Sequence, residues 1–457
     1  MKEVNIAANK AVQAATSAVA IESVSWGRAG KAKWQHNAVA LLVLFAPFGM
    51  YMNWLALEHH DGSLWEAGRA FASQGPVQTV MQYFPKPSVA GFAGYAGWMI
   101  LQTTLSFFLP GKQAFGQRTP GGHLLEYNAN GLLAWAATHA LYLAAAVVGV
   151  LDPAIIANNW QGLFVAANIF GFVAAVLAQI KGYFWPSYSS DVKMSGSWIF
   201  DFWAGVELNP RFGNWDIKLF FNGRPGIVAW TLIDISWAAY QQQHLGHITY
   251  SMLIVLLLHA IYVVDFFINE DWYTRTIDIT HDHFGFMLAW GDTTFLPAFY
   301  TLQAQYLARY PVYLNTWQSA LVLATGLTGY AIFRFANHEK DYVRSQDGDV
   351  VLWGRQATYI RCSYPTNDGK VHSSILLTSG WWAVSRHSNY LGDLVLSFAM
   401  CAACEFRNAL PWSYFFYMAV LLAHRTIRNE ARCRQKYGQK WEEYCREVPW
   451  RIVPGVW

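Results

Sequence analysis

The stretch HRTIRNEARCRQKYGQKWEEYCREVPWRIVPGVW, residues 424–457, ends the chain and holds its densest polar chemistry. Between residues 424 and 451 it contains eight Lys or Arg residues and four Glu residues, directly after an apolar run over 411–423. A cationic segment where an apolar helix meets water suits an anionic ligand. From charge alone a second interpretation stays open, in which the segment only orients the last helix in a bilayer.

Composition places the chain among membrane proteins. Of its 457 residues, 54% are hydrophobic and 13% are charged, which is about half the charge of an average soluble domain. Apolar segments of near-spanning length predict an all-α polytopic membrane protein with about ten transmembrane helices. They lie near 37–57, 88–109, 131–151, 161–180, 226–240, 250–268, 283–306, 317–333, 394–406 and 411–423.

The distribution of Lys and Arg predicts the topology. These residues are concentrated in the N-terminal region and in the loops after the second and fourth apolar segments. With an even number of spans, both termini would face the cytoplasm, and the basic C-terminal region would form a cytoplasmic pocket. We predict three regions: an N-terminal cytoplasmic arm over 1–36, a transmembrane region over 37–333, and a C-terminal region over 334–457 that includes the last two membrane segments.

Histidines and cysteines suggest other classes of site. Membrane di-iron desaturases and hydroxylases use histidine boxes, but this chain has one H-x-x-H, one H-x-H and no H-x-x-H-H. We therefore expect no metal and interpret the histidines as structural or interfacial. Cys401 and Cys404 form a C-x-x-C inside an apolar run, where small residues serve helix packing. No nucleic-acid module is visible, and we expect no such partner.

Three local features carry structural predictions. Gly91, Gly94 and Gly97 are three residues apart and favour close approach of two helices. The polar and aromatic block 196–226 is predicted to be ordered rather than a linker. In the hydrophilic insert 334–380, short alternating runs around an Asn-Asp-Gly turn predict a small hairpin.

The order of motifs resembles the sterol reductase family. RHSNYLGDL at 386–394, HRTIRNEARCRQKYG at 424–438 and VPWRIVPG at 448–455 match the C-terminal signature of that family. GSWIFDFWAGVELNPR at 196–211 matches its other signature, so the resemblance covers both halves of the chain. Within the family, NGRPGIVAWTLI at 222–233 and HDHFG at 281–285 are most similar to the Δ7 subgroup, whereas Δ14 members tend to have HDGFG.

This resemblance implies an NADPH-dependent enzyme that reduces the Δ7 double bond of 7-dehydrocholesterol or a related Δ5,7-sterol. Region 37–333 would then bind sterol among membrane lipids, and region 334–457 would bind NADPH. The membrane would be the endoplasmic reticulum in a eukaryote or the inner membrane in a bacterium. Alternatives are a Δ14-sterol reductase and a sterol-binding protein without catalysis. RHSNYLG is also similar to the isoprenylcysteine carboxyl methyltransferases, but those enzymes lack the LNPR block.

The resemblance also assigns NADPH contacts. Lys340 and Arg344 are one helical turn apart and suit a phosphate clamp, although such a pair in isolation is more typical of a solvated face. No G-x-G-x-x-G follows a strand, so a Rossmann domain is not expected to carry the cofactor. The remaining implied contacts are Leu377, Trp382, Asn389, Tyr390, Asn429, Cys433, Arg434, Gln435, Lys436, Tyr437 and Tyr444.

Two residues are predicted to be catalytic. Tyr300 falls where the family places a tyrosine that faces the sterol. Where the family signature reads R-D-E, this chain has Arg428, Asn429 and Glu430, and the amide of Asn429 cannot deliver a carboxylic proton. We therefore predict that the proton comes from Tyr300 or Glu430.

Three aspartates are further functional candidates because ionisable groups at membrane depth are costly. The alternative is a satisfied polar network inside the helices. They are Asp278, Asp282 and Asp292.

Overall fold

The computed structural model describes residues 33–366 and 369–457. The predicted N-terminal arm lies outside the described residues as far as residue 32. Its last four residues, 33–36, belong instead to the first helix, which begins at Lys33. The Asn-Asp part of the predicted hairpin turn, Asn367 and Asp368, also lies outside the described residues.

Helices account for most of the described chain. They are α1 Lys33–His59, α2 Leu64–Gln74, α3 Pro76–Tyr83, α4 Val89–Phe108, α5 Gly131–Val147, α6 Ile155–Asn158, α7 Trp160–Phe184, α8 Trp198–Ala204, α9 Ile217–Gly223, α10 Ala229–Leu245, α11 Tyr250–Ile268, α12 Glu270–Tyr273, α13 Ile277–Thr280, α14 Phe286–Trp290, α15 Leu296–Phe299, α16 Leu302–Arg309, α17 Thr316–Ser345, α18 Trp381–Val384, α19 Ser388–Ala402, α20 Ala409–Tyr437 and α21 Gln439–Glu447. A 3₁₀ turn at Ser189–Asp191 and π-helical segments at Arg224–Val228 and Gly291–Phe295 complete the helical elements of the described residues.

Four short antiparallel hairpins lie between the helices of the described residues, whereas the sequence predicted one small hairpin in an otherwise all-α chain. The strands are β1 Lys112–Phe115, β2 Glu126–Ala129, β3 Arg211–Phe212, β4 Trp215–Asp216, β5 Val351–Leu352, β6 Arg355–Gln356, β7 Tyr359–Pro365 and β8 Val371–Leu377. The hairpin predicted in the hydrophilic insert is β7 and β8, paired from Tyr359 with Leu377 to Pro365 with Val371. The others are too short to leave an alternating pattern in the sequence.

Four of the described helices are long and apolar enough to cross a membrane. They contain the segments Leu41–His59, Trp160–Phe184, Tyr250–Ile268 and Thr316–Ser345, and the shorter α5 is also apolar. The apolar run predicted to span at 283–306 is instead divided among α14, a π-helical segment, α15 and α16. The protein is therefore a mainly helical membrane protein, and the number of ten spans stays a prediction.

The two π-helical segments pack against each other at the centre of the molecule. A Cβ atom at Gly226, in the first segment, would lie 2.5 Å from the carbonyl oxygen of Asp292 in the second. Such widened turns occur mostly at functional sites, because they redirect the side chains that follow. Here they come shortly before Trp230 and Tyr300 in the chain.

Glycines also bring α17 and α19 into backbone contact. A Cβ atom at Gly329 would lie 2.5 Å from the backbone nitrogen of Leu396, and one at Gly392 would lie 2.4 Å from that of Phe333. The start of α17 is fixed by a capping box, in which Asn315 and Gln318 each accept a hydrogen bond from the backbone of the other. This close pair places the end of α17 beside the start of α19.

The polar block 196–226 is ordered, as predicted. It contains α8, β3, β4 and α9, and its charged side chains are buried. The ammonium group of Lys218 donates hydrogen bonds to the carbonyl oxygens of Ile279 at 2.6 Å and Asp282 at 2.8 Å. A buried ammonium group needs hydrogen-bond partners, because burying it without them would be costly. These two bonds therefore hold the 277–282 segment against the block.

Candidate functional site

Lys340 and Arg344 extend from the last turns of α17 toward the β7–β8 hairpin. The Lys340 ammonium lies 3.8 Å from the centre of the Trp382 ring, and the Arg344 guanidinium donates to the carbonyl oxygen of Ile375 at 3.2 Å. The indole of Trp382 donates in turn to the carbonyl oxygen of Ala336 at 2.7 Å. The two cations thus lie on one face of α17, as their spacing predicts. The ring of Trp382, fixed by its hydrogen bond, packs against the Lys340 ammonium.

Cys433 marks the point where the cations converge. Burial raises the pKa of its thiol, against the opposing effect of four cationic neighbours. Tyr437 and Tyr444 pack beside it in an apolar cluster with Leu376. The turn at Gly438, which has a φ of +54°, folds α21 back against the end of α20 and brings Tyr444 here. The cations around Cys433 are Lys340, Arg344, Arg432 and Lys436.

The ammonium group of Lys436 is buried between aromatic rings. Its ammonium lies 3.7 Å from the centre of the Tyr364 ring and 5.3 Å from that of Tyr437. Burial, reinforced by Arg432, lowers its pKa from 10.5 to about 7. An anion placed here would reverse that effect, because an opposite charge favours the ammonium form.

Asn389 and His387 supply buried polar atoms at the inner end of this region. The Asn389 amide nitrogen donates to the Asn337 side-chain oxygen at 3.1 Å, while its own oxygen has no partner. His387 stacks on Tyr390 with ring centres 4.9 Å apart, and its buried Nε2 also lacks a partner. Burial and the nearby Lys340 lower the pKa of His387 to about 3, so the ring is neutral. Unsatisfied atoms of this kind suit a polar ligand.

Two of the predicted cofactor contacts point elsewhere. Arg434 and Gln435 are exposed, and the Arg434 guanidinium donates to the Glu442 carboxylate at 2.7 Å on the surface. Successive residues of an α-helix are rotated by about 100°, so a continuous run from Cys433 to Tyr437 cannot face one ligand. Cys433, Lys436 and Tyr437 face the cation cluster, and Asn429 lies one turn earlier, 3.9 Å from the Cys433 sulfur.

Glu430 is placed as the centre of an ion-pair network, at odds with its predicted role as a proton donor. Its Oε1 accepts hydrogen bonds from the Arg386 guanidinium at 2.6 and 3.0 Å, and its Oε2 accepts one from Arg451 at 3.0 Å. Arg386 also donates to the carbonyl oxygens of Val448 and Pro449. Both carboxylate oxygens are therefore engaged in holding the C-terminal tail against α20.

Two of the three candidate aspartates are paired with α20. Arg425 forms a bidentate ion pair with Asp278, with distances of 3.0 and 2.5 Å, and Arg428 is paired with Asp282. Arg425 also lies within hydrogen-bonding reach of Tyr390. The pairs tie α20 to the 277–282 segment and connect the cation cluster with the interior.

Tyr300, between α15 and α16, lies among aromatic rings beside the first half of α20. Its ring centre is 5.1 Å from that of Trp230 and 5.1 Å from that of Tyr414, both in edge-to-face contact. Its hydroxyl is within hydrogen-bonding reach of Tyr417. Tyr300 is half-buried and packs against the hydrophobic core. A weak acid thus lies within a cluster of aromatic rings, which we call the aromatic chamber.

Comparison with known proteins decides the family. A family model described as the ergosterol biosynthesis ERG4/ERG24 family matches residues 49–457. The chain belongs to the ERG4/ERG24 family. It is 43% identical over 450 residues to the 7-dehydrocholesterol reductase of Danio rerio, with 95% of this chain and 94% of that protein covered. It is 44% identical over 446 residues to the 7-dehydrocholesterol reductase of Xenopus laevis, with 94% of each chain covered.

The ERG4/ERG24 family also contains Δ14 enzymes that are similar to this chain. The Delta(14)-sterol reductase of Methylotuvimicrobium alcaliphilum is 36% identical over 421 residues, with 92% of this chain and 94% of that protein covered. The resemblance drawn from the motifs is therefore confirmed for the whole chain. Membership identifies the chain as a membrane-bound oxidoreductase that acts on sterols.

For this ERG4/ERG24 member, the sequence did not single out the residues that join the cation cluster to the chamber. Arg425 is four residues before Asn429 and eight before Cys433, so its place on the ligand-facing side of α20 follows from helical spacing. His387 and Arg386 lie within the RHSNYLG motif but gave no separate signal. Asp292 behaves differently from the other aspartates, because its buried Oδ2 has no partner.

Proposed function

We propose that this protein reduces the Δ7 double bond of 7-dehydrocholesterol or a related Δ5,7-sterol and uses NADPH as the reductant. The observation that carries the proposal is the continuity of two sites along α20. Its last turns bear Cys433 and Lys436 in a cation cluster, and its membrane half bears Tyr414 and Tyr417 around Tyr300. A reductase that acts on a membrane-dissolved substrate with a charged, water-soluble cofactor needs both environments side by side.

The residues of the cation cluster fit NADPH. Lys340, Arg344 and Lys436 suit its phosphates, and the rings of Trp382 and Tyr390 suit stacking. The unpartnered buried oxygen of Asn389 suits the amino group of a carboxamide. When bound, NADPH supplies a hydride. Leu377, Asn429, Tyr437 and Tyr444 line the same region and are proposed as further contacts.

A proton must reach the carbon next to the one that accepts the hydride, and we assign it to the Tyr300 hydroxyl. The hydroxyl of Tyr417 is within hydrogen-bonding reach, and it can return a proton to the Tyr300 phenolate that is left after the transfer. Trp230 and Tyr414 hold the ring from two sides at 5.1 Å. The apolar walls exclude water, so the proton is delivered at one face of the sterol.

Glu430 acts in this scheme as a positioning residue. By holding Arg386 and Arg451 it fixes the tail behind the cation cluster. Asn429 occupies a position one turn from Cys433, where an amide can donate and accept hydrogen bonds but cannot transfer a carboxylic proton.

The test is turnover by purified full-length protein in nanodiscs. Incubation with 7-dehydrocholesterol and NADPH should yield the Δ5-sterol by gas chromatography and mass spectrometry. Lys340→Met or Arg344→Met should raise the Kd for NADPH about 10- to 150-fold, because each removes one charge-assisted contact. Lys440→Met is the matched control, since Lys440 is an exposed cation paired with Glu443 on the surface.

Unchanged NADPH affinity in both clamp variants would exclude the cation cluster as the cofactor site. Sterol binding without any turnover would favour the non-catalytic alternative.

Reduction of a Δ14 bond is the second candidate, because the bacterial Δ14 relative matches nearly the whole chain. The HDHFG and NGRPGIVAW motifs favour Δ7. Equal amounts of a Δ7- and a Δ14-unsaturated sterol, offered together with NADPH, should give Δ7 reduction only. Consumption of the Δ14-sterol alone would reverse the assignment.

The topology is also part of the proposal. Ten spans with both termini in the cytoplasm would put the cation cluster on the side that supplies NADPH, and the apolar faces of the four long helices support insertion. The membrane is the endoplasmic reticulum in a eukaryotic cell or the inner membrane in a bacterium. An epitope appended after Trp457 should be accessible to antibody on the outside of sealed microsomes.

A further inference from the structure

Asp393 is a buried carboxyl group near both the cation cluster and the aromatic chamber. It belongs to α19 and lies one helical turn after Asn389 on the same face, in the RHSNYLGDL motif. The residue is 6% exposed. Its cationic neighbour is Arg425 of α20, and no donor among the described residues hydrogen-bonds to its carboxylate oxygens. The ion pairs described above therefore leave this carboxyl group unused.

The carboxyl groups that pair with α20 or lie on it are held by arginines. They are Asp278, Asp282 and Glu430, whose partners are Arg425, Arg428, and Arg386 together with Arg451. A buried carboxylate without such a pair is costly, so Asp393 tends to keep its proton. Burial raises the pKa of the Asp393 carboxyl to about 7, against the opposing effect of Arg425. Asp393 is thus a buried acid that can hold and release a proton near neutral pH.

Three tyrosine hydroxyls of the aromatic chamber lie near this acid. The Asp393 carboxyl interacts electrostatically with the hydroxyls of Tyr262, Tyr300 and Tyr414. The rings of Tyr300 and Tyr414 are in edge-to-face contact, with centres 5.1 Å apart, and Tyr262 packs in the same apolar cluster as Tyr300. Asp393 therefore interacts with the proposed proton donor and also with Arg425, a cation of α20.

The proposed proton transfer leaves a negative charge in this chamber. When Tyr300 gives its proton to the sterol carbon, its oxygen becomes a phenolate among apolar rings. A proton from Tyr417 moves this charge to the second ring but does not remove it, because Tyr417 is also a phenol. A stronger acid must therefore supply one proton for each turnover.

We propose that Asp393 is this acid and that it returns a proton to Tyr300 after each reduction. The O–H bond of the Asp393 carboxyl breaks, an O–H bond forms on the Tyr300 phenolate, and the carboxylate takes over the negative charge. The transfer is favourable because a carboxyl is normally a much stronger acid than a phenol. Arg425 stabilises the carboxylate that results. Water that enters through the cation cluster then restores the proton.

This role rests on the proposed function, in which Tyr300 protonates the sterol. Asp393 acts on the reaction only through Tyr300 and supports the proton donor without touching the sterol. Asp292 is a less suitable source of the proton, although it interacts with Tyr417. Its charged neighbour is Asp278, and a like charge opposes the release of a proton, whereas Arg425 favours release from Asp393.

The test compares the first turnover with later turnovers in the Asp393→Asn variant, which keeps the side-chain size but has no carboxylic proton. Full-length protein in nanodiscs is mixed rapidly with NADPH and 7-dehydrocholesterol. The first turnover should stay within about twofold of the wild-type rate, because Tyr300 starts with its proton. Steady-state turnover should fall at least about tenfold, so that NADPH oxidation shows a burst of one equivalent per protein. Asp393→Glu should restore part of the steady-state rate.

Asp265→Asn is the matched control. Asp265 is another buried carboxyl near Tyr262, but Arg334 and Tyr330 already engage it. Its loss should lower the melting temperature and produce no burst. The proposal is overturned by equal slowing of the first and later turnovers in Asp393→Asn, by an unchanged steady-state rate in that variant, or by a burst in both variants.

The proton on Asp393 can also be measured without turnover, by infrared difference spectroscopy of the protein alone. In slightly acidic buffer, the difference between wild type and Asp393→Asn should contain the carbonyl band of a protonated carboxylic acid, and this band should shift in deuterated water. Absence of the band would contradict the proposal. Product formation by the wild type without a burst in Asp393→Asn refutes this role of Asp393 alone, whereas a wild type that forms no sterol product refutes the proposed reductase activity and this role with it.

Discussion

Tyr300 is the residue to which we assign the proton transfer, because the amide of Asn429 cannot deliver a carboxylic proton. The Tyr300→Phe variant should lower kcat by about 10² to 10⁴, the usual contribution of a general acid, and should leave the Kd for NADPH unchanged. The ring contacts with Trp230 and Tyr414 survive in this variant, so packing is kept. Stopped-flow turnover and NADPH titration measure the two quantities separately.

The matched control is Glu430→Gln, the other residue predicted to be catalytic. Its loss of charge should lower the melting temperature, because Arg386 and Arg451 lose their common partner. The pH dependence of kcat should be unaffected. If Glu430→Gln abolishes turnover while Tyr300→Phe does not, the assignment of the proton donor is wrong.

Asn429 allows a direct test of whether an acid is missing at that position. The Asn429→Asp variant should change turnover by less than about tenfold, below the range expected from installing a general acid. Its side chain lies 3.9 Å from Cys433, near cations rather than in the aromatic chamber. An inert wild type that gains turnover in Asn429→Asp would show instead that the natural sequence is a disabled reductase.

Lys436 should make NADPH binding depend on pH. With its pKa lowered to about 7, the free protein carries a neutral amine above that pH, and binding of a phosphate must take up a proton. Deprotonation of Lys436 should therefore raise the Kd for NADPH as pH increases from 7 to 9, and this residue alone contributes at most about tenfold per unit. Isothermal titration in buffers of different ionisation enthalpy would detect the proton.

The comparison for this prediction is Lys436→Met, which should bind NADPH more weakly at pH 7 and lose part of the dependence above it. The remaining part comes from Lys340, because burial and the nearby Arg344 also lower its pKa to about 7. Lys440→Met should retain the dependence, since that side chain is exposed. A wild-type Kd that is constant from pH 7 to 9 would contradict the role of Lys436.

At the scale of elements, the contact between α17 and α19 positions residues that we propose as NADPH contacts. Gly392→Ala adds a Cβ atom 2.4 Å from the backbone of Phe333, and the helices must separate. This should cost about 1 to 3 kcal/mol of stability and weaken NADPH binding, because Lys340 and Asn389 lie on the two helices. Thermal unfolding in detergent and NADPH titration are the measurements.

Gly97→Ala provides the comparison, because a Cβ atom there meets nothing within 4 Å. It should raise helix stability slightly through propensity alone. Equal melting temperatures for the two variants would mean that α17 and α19 can adjust without loss.

Glycine spacing in the sequence predicted only part of this packing. Of Gly91, Gly94 and Gly97, Gly91 alone touches a partner backbone, where its Cβ atom would lie 2.3 Å from the carbonyl carbon of Gly162. The contact at Gly329 and Gly392 was not foreseen, since these residues are far apart in sequence. Spacing identifies a helix face, but the partner of that face depends on tertiary structure.

At the scale of the whole molecule, motifs predicted the family and most of the cation cluster, whereas hydropathy predicted the helices less well. The segment 283–306 reads as one apolar run, yet its buried polar residues and Pro297 divide it into short pieces. The position of Glu430 could not be predicted either, because its partners Arg386 and Arg451 come from distant parts of the chain. The sequence shows which side chains could transfer a proton or bind a ligand. Only the tertiary structure shows which of them are already held in ion pairs.

A single helix, α20, runs from the aromatic chamber to the cation cluster, and this has a consequence for insertions and deletions. Tyr417 and Lys436 are separated by 19 positions of uninterrupted helix, which at 1.5 Å per residue corresponds to about 28 Å. One residue added between them would lengthen this distance and rotate one end by about 100° relative to the other. If NADPH binds as we propose, insertions or deletions between these two residues should therefore abolish turnover, because they would change both the distance and the relative direction of Tyr417 and Lys436.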